Sequence, residues 1–439
     1  MRRAVLVLGL LFLVFGARAD IYETGAPRST NNDDSCDISL LPAATLLLPY
    51  FEVDLNSPTG ETTLFTVMNM GNVEQIAHVT LWTDYAFPVL GFNIYLTGYD
   101  VQSIDLRDVL SGRVAPPAGT GMQSSPTGPL SLANPALRTD DCTSMPAALP
   151  PALVTRMQQA LTLGRVGPYD GAPACTNIGG THSNAAGYLT IDLVGSCTML
   201  KPTEAAYYTE TLRFDNVLAG DYQQVNGNQN FAQGSPLVHI RAVPENGGTV
   251  NLPFTFYRRF LPEGAKYDRR QPLPSNFAAR WIEGGTGSFD TSFKVWREGI
   301  TATDTPCNKF QCNAKLQFIE FVSFDEEENA LGLAPEESPV CTPITNEYWT
   351  TTTFRADYGD GETFPEFEDE IAGWMYMNLA TGDDELPQQA WVISSMAAQG
   401  RYSGDIDATA MGNGCSPRSY ESEVNEGNAV IGPAANVNP

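Results

Sequence analysis

Short runs of alternating apolar and polar residues, close Gly, Pro and Asn punctuation, and eight cysteines behind an export-type leader point to one architecture. It is a mainly β protein with two β-sandwich units, immunoglobulin-like or jelly-roll-like, joined by a loop-rich, partly helical insertion. The leader is residues 1–19. Arg2 and Arg3 give a positive start, Ala4 to Phe15 is apolar, and Ala17-Arg18-Ala19 is a small-x-small cleavage pattern before Asp20. This reads as a signal peptide: the apolar run is too short to cross a bilayer core of about 30 Å. No later stretch is apolar enough to span, so a mature chain without a transmembrane segment, periplasmic or extracellular, is expected.

The N-terminal β-sandwich part is read over 20–110. Thr63 to Asn69 alternates and ends in the turn Met70-Gly71-Asn72. Ile76 to Asp84 follows, with Ala77, Val79 and Leu81 on one face and His78, Thr80 and Trp82 on the other. Phe92 to Leu96 and Val101 to Leu106 continue the pattern. Residues 111–185 are different in kind, rich in Pro, Gly and Ser. Within them Leu153, Met157, Ala160 and Leu161 fall at i, i+4, i+7 and i+8, predicting a helix over Pro151 to Leu163. The C-terminal β-sandwich part is read over 186–424. Its strands are Gly187 to Val194, Leu237 to Val243, Phe254 to Tyr257, Leu316 to Phe324, Trp349 to Phe354, Gly373 to Leu379 and Ala390 to Met396. Pro202 to Phe214 reads as helix. The polar tail 425–439 reads as disordered.

Cys36, Cys142, Cys175, Cys197, Cys307, Cys312, Cys341 and Cys415 make an even count in an exported chain, which predicts disulfides. Spacing leaves the pairing open, although Cys307 and Cys312 are close enough to close a small loop. No Cys-x-x-Cys occurs, which argues against a thioredoxin-like or zinc-ribbon motif. No Asn sits in a glycosylation sequon, which favours a bacterial source. The net charge is −26. Such a chain repels nucleic acid and anionic membranes. The charge is uneven: residues 241–300 carry nine basic and six acidic side chains, and residues 301–439 five basic and twenty-four acidic.

The runs Thr45-Leu46-Leu47-Leu48-Pro49-Tyr50-Phe51, Val79-Thr80-Leu81-Trp82-Thr83-Asp84 and Leu96-Thr97-Gly98-Tyr99-Asp100 are distinctive, as are Leu237 to Ala242 and Gly412 to Cys415. With these runs the chain resembles an uncharacterised group of exported bacterial β-rich proteins. The resemblance implies export and carries no activity, cofactor or catalytic residue.

Candidate chemistry is sparse. His78 and His239 fall inside predicted strands and His182 in a Gly-rich loop. No catalytic elbow or zinc-protease signature occurs. Carboxylates are abundant: Asp325 to Glu328 follow a strand, and Glu366, Glu368, Asp369 and Glu370 precede Gly373-Trp374. Two facing carboxylates suffice for glycoside hydrolysis, and six tryptophans offer sugar platforms or core filling. Asp357-Tyr358-Gly359-Asp360-Gly361-Glu362 sets hard oxygen donors on a sharply turning loop. This marks Asp357, Asp360, Glu362 and Glu368 as calcium candidates, in a pattern that departs from the EF-hand. Arg258, Arg259, Arg269, Arg270 and Arg280 are expected to pair with the acidic C-terminal third. The expected function is that of a non-catalytic surface, matrix or binding protein whose partner is a polysaccharide or another extracellular protein. The alternative is a carboxylate-based glycoside hydrolase or lyase.

Overall fold

A computed structural model describes residues 40–113, 130–132, 149–169, 171–198, 200–242, 255–256, 268–274, 276–282, 284, 289–297, 307, 320–328, 330–334, 346–350, 372–378, 389–398, 400, 402–410, 424–425 and 428–429. The leader lies outside these residues.

The first sandwich packs a six-stranded sheet on a four-stranded one. Its strands are β1 (Thr45–Val53), β2 (Glu61–Asn69), β3 (Gln75–Trp82), β4 (Pro88–Leu96), β5 (Val101–Asp105), β6 (Leu130–Leu132), β9 (Ala185–Val194), β10 (Leu218–Asn226), β11 (Phe231–Pro236) and β12 (Val238–Ile240). The orders are β12-β1-β9-β3-β4-β6 and β11-β10-β2-β5, with antiparallel pairing throughout the described strands. Strand pairing therefore runs across the 111–185 stretch: β9 lies between β1 and β3, and β10 pairs with β2.

Ala77, Val79 and Leu81 enter the core between the sheets with Leu46, Phe65 and Ile191. The other face of β3 is buried too. Trp82 stands in a second cluster with Tyr188, Tyr207 and Trp296, and His78 meets Tyr207 at 5.7 Å between ring centroids. β9 is buried at every residue, because the six-stranded sheet is covered on both faces. Its Gly187 is required by close approach: a Cβ there would lie 2.1 Å from the Trp82 carbonyl. In β1, Pro49 has no N–H to give the ladder, and the register with β9 shifts between Leu48 and Phe51.

Between these strands lie helix α1 (Leu106–Leu110), helix α2 (Pro151–Leu163) and the small pair β7 (Arg165–Val166) and β8 (Cys175–Thr176). α2 starts on Pro151 and ends at Gly164, in the left-handed region at φ 58°. Its buried residues are the predicted Leu153, Met157, Ala160 and Leu161. α1 begins where the sequence reads the end of a strand. The Asp105 side chain accepts the Arg107 N–H at 2.9 Å and caps it. Of the helix read over Pro202 to Phe214, a short π-helical turn forms at Tyr207–Thr211.

The second sandwich pairs a sheet ordered β16-β15-β18-β13-β21 with one ordered β17-β14-β19-β20. Its strands are β13 (Asn276–Ile282), β14 (Asp290–Arg297), β15 (Glu320–Phe324), β16 (Ala330–Ala334), β17 (Asn346–Thr350), β18 (Ala372–Asn378), β19 (Ala390–Ala397), β20 (Ser403–Asp407) and β21 (Thr409–Ala410). Phe277, Trp281, Phe293, Val295, Met375, Met377 and Val392 form its core. A last pair, β22 (Val424–Asn425) and β23 (Asn428–Ala429), opens the stretch read as the disordered tail, whose remainder lies outside the described residues.

The two sandwiches interlock. Ile393 of β19 belongs to the first core, and Trp391 packs against all three main clusters. The Ser403 hydroxyl bonds the backbone of Ala232 on β11. The connecting segment is fixed by Arg270, which is fully buried. Its Nε and Nη2 grip both oxygens of Asp268 at 2.9 Å, and its Nη1 reaches Asp192 of β9 at 2.9 Å. Burial alone would push the guanidinium pKa down. Asp268 and Asp192 outweigh it and hold the group above its ordinary range. For Arg270 this corrects the expected pairing with the acidic C-terminal third: it takes its partners from β9 and its own segment, because the desolvated guanidinium needs carboxylates in reach. Arg258 and Arg259 lie outside the described residues.

Among the described residues no helix is long and apolar enough to cross a membrane.

Candidate functional site

Function on a sandwich collects at the strand ends, where loops sit on a rigid frame. At one end of the first sandwich the β2–β3 and β4–β5 turns lock together. Asn69 is buried, and its Nδ2 donates to the Val73 carbonyl at 2.7 Å and the Thr97 carbonyl at 2.8 Å. The Asp100 carboxylate accepts from Thr97 N, Thr97 Oγ1 and Val101 N at 2.9–3.0 Å. Tyr99 N donates to the Gly71 carbonyl at 2.9 Å. The locked turns expose apolar groups: Met70 is 49%, Val73 55% and Tyr99 72% accessible. Tyr99 holds φ at 58°, an uncommon conformation for a bulky side chain.

The opposite end, about 26 Å away along β3 at ~3.3 Å per residue, gathers titratable groups. Asp84 follows β3 and is buried. Its carboxylate accepts Gly180 N at 2.9 Å and meets His182 Nε2 at 2.8 Å. The Asp84 hydrogen bond holds the His182 pKa above its ordinary range against the opposing effect of burial. Burial, reinforced by Asp84, pushes the Tyr85 hydroxyl up. Glu52 of β1 accepts from Tyr50 Oη at 2.8 Å and Asn184 Nδ2 at 2.7 Å. Glu61 of β2 is half-buried, and burial followed by the charge of Glu52 raises its pKa.

The second sandwich inserts one cation beside this end. Lys294 of β14 is buried with its Nζ against Gln224 Oε1 and 5.1 Å from the Tyr50 ring centroid. Gln233 Nε2 donates to the same Gln224 oxygen at 3.1 Å and to Ser395 Oγ at 2.7 Å.

The other sequence candidates fall as follows. Cys175 is bridged to Cys307 across 132 residues with Cα atoms 5.6 Å apart. This overturns the small Cys307–Cys312 loop, since Cys307 is committed to β8. Cys197 is disulfide-bonded as well, and no cysteine among the described residues is free. Cys36, Cys142, Cys312, Cys341 and Cys415 lie outside the described residues, as do Asp357, Asp360, Glu362, Glu368 and the group Glu366 to Glu370. Asp325 is buried, and Glu326 to Glu328 form an exposed turn. Trp82, Trp281 and Trp296 are buried in cores, while Trp374 stacks on Phe324 at 4.1 Å. His78 is paired with Asn93 at 2.9 Å, and His239 Nδ1 lies 3.0 Å from the Leu41 carbonyl, as expected of sheet histidines. Sequence reading passed over Tyr99, Glu52, Glu61, Asp84 and Lys294 as functional residues. Only the adjacent glycines at 179–180 and the acid two residues after Trp82 signalled a tight polar contact.

No protein family, curated protein or solved structure matches the chain.

Proposed function

We propose that this chain is an exported, disulfide-bonded, non-catalytic binding protein of bacterial type, acting in the periplasm or outside the cell. In this reading residues 1–19 are removed, and the Met70–Val73–Tyr99 tip meets a polysaccharide. The observation that carries it is the exposed Tyr99 ring, held in a strained turn by buried Asn69 and by Asp100. A flat aromatic face beside exposed amide and hydroxyl groups suits a sugar ring. A turn fixed in advance loses little entropy on binding. The exposed Met70, Val73 and Tyr99 side chains are uncharged in a chain of net charge −26, which suits an uncharged partner. The test is retention of the mature protein on a panel of insoluble polysaccharides, with N-terminal sequencing to locate cleavage near Asp20. Retention abolished by Tyr99→Ala supports the reading. Retention by immobilised extracellular proteins alone would move the partner to that class, and an uncleaved Met1 would overturn export.

A calcium ion held by Asp357, Asp360, Glu362 and Glu368 belongs to the same reading, since these residues supply the hard oxygen donors the ion prefers. A melting temperature indifferent to calcium and to chelator removes it.

One observation favours a second reading as a carboxylate enzyme on polysaccharide. Glu61 has its pKa raised by burial and by neighbouring Glu52, which is how an acid and a base become distinguished. New reducing ends that vanish in Glu61→Gln would establish it over binding alone.

A further inference from the structure

We propose that Lys294 and Gln224 become joined by a side-chain amide bond that welds the second sandwich to the first. This inference is independent of what the tip binds. Gln224 sits in β10 and Lys294 in β14, and both side chains are buried, at 1% and 6% accessibility. The lysine nitrogen is in hydrogen-bond contact with the glutamine carbonyl oxygen. Across an ordinary hydrogen bond of about 2.9 Å and a C=O bond of about 1.2 Å, the nitrogen stands on the order of 3.5–4 Å from Gln224 Cδ, close to the range of a near-attack conformer. The carbonyl is also polarised from its far side, because Gln233 Nε2 donates to the same oxygen at 3.1 Å. A donor so placed stabilises the oxyanion that attack creates.

An amine attacks in its free form, so a proton acceptor must stand near. Glu61 is the carboxyl we assign to that task. It stands opposite Asn226 in the β2–β10 ladder, two residues along β10 from Gln224 and so on the same face of the sheet. Its proton affinity, raised by burial and Glu52, suits a group that takes a proton and returns it. The step balances without oxidant or cofactor. Glu61 takes a proton from the Lys294 ammonium, and Nζ adds to Cδ to give a tetrahedral oxyanion. The C–Nε2 bond then breaks: Nε2 takes the proton Glu61 returns and the second proton shed by Nζ and leaves as ammonium, and a neutral Nζ–Cδ amide remains. The chain loses one ammonia.

The experiment is mass spectrometry of the purified, disulfide-reduced chain. The expected result is a mass one ammonia below that of the sequence. Trypsin should then release a branched species joining residues 214–241 to residues 281–297, with no cut after Lys294. Gln224→Ala and Lys294→Arg should each restore the full mass. Glu61→Gln should leave Lys294 and Gln224 unlinked, with trypsin cutting after Lys294. A wild-type mass without the loss, a loss mapping to other residues, or a Glu61→Gln chain still branched would each overturn the proposal. The wild-type measurement needs no variant to fold.

Discussion

Replacing Arg270 by methionine tests whether the segment between the sandwiches is fixed by charge. Methionine keeps much of the length and removes three charge-assisted bonds of 2.9 Å, two to Asp268 and one to Asp192. Both carboxylates stay behind with no exposed surface. Asp192 keeps the hydroxyls of Thr45 and Tyr207, each at 2.7 Å, while Asp268 keeps the backbone N–H of residue 270 at 3.0 Å. Neutral donors do not replace a cation inside a core. Removing one partner of a buried ion pair costs about 3–5 kcal/mol, far above the ~0–1 kcal/mol of an exposed pair. With a urea slope on the order of 3 kcal/mol per molar, the unfolding midpoint should fall by about 1–2 M at unchanged slope. Adding Asp192→Asn and Asp268→Asn to Arg270→Met removes the stranded charges and should recover most of the loss. A midpoint shift below about 0.3 M, or a triple variant no more stable than the single, would refute the argument.

The remaining predictions concern the two ends of the first sandwich and the bridge. Because Asp84 raises the folded-state pKa of His182 above its ordinary 6.5, their contact stabilises fully below that value and fades as pH rises through the folded value. The melting temperature advantage of wild type over His182→Gln should therefore shrink between acidic and mildly alkaline pH, and an advantage constant with pH would contradict this. Breaking Cys175–Cys307 with Cys307→Ser should cost about 2–5 kcal/mol. A non-reducing peptide map showing Cys307 joined to Cys312 would count against it. Tyr99→Gly relieves a left-handed conformation that costs an L-residue about 1–2 kcal/mol. It should leave melting unharmed while abolishing polysaccharide retention, and retained binding would remove Tyr99 from the site.

Much of the fold could be read from local pattern. β3 alternates two faces, and the structure buries them in two different cores, Ala77, Val79 and Leu81 in one and Trp82 in the other. The helix at Pro151–Leu163 was written in its apolar spacing. β10 was not legible: it carries Gly220, Asp221, Gln223 and Gln224, and nothing local favours a strand there. Its pairing with β2 decides its conformation. The sites were harder still. Asp84 and His182 are 98 residues apart, and Gln224 and Lys294 are 70 apart. Each pair exists only because the sandwich returns distant strands to one end. A single sequence encodes side-chain periodicity within a strand, but which strand lies beside it follows from burial summed over the whole sheet.

The polar groups at the junction follow the same logic. A sheet covered on one face needs apolar residues on that face alone, yet β9 is buried on both. The second covering comes from the connecting segment and from β14, so the six-stranded sheet has no free face on which the sandwiches could slide. Apolar contact would tolerate several registers, because the hydrophobic effect is not directional. Arg270 across Asp268 and Asp192 tolerates few, since a shift of one residue would strand a buried charge, and Lys294 against Gln224 fixes one alignment of β14 on β10. Trp391, touching the cores on both sides, supplies area to the junction, and the polar groups supply its register. A frame fixed in this way holds the Tyr99 tip at one end in constant geometry relative to the second sandwich, which is the rigidity the proposed binding role calls for.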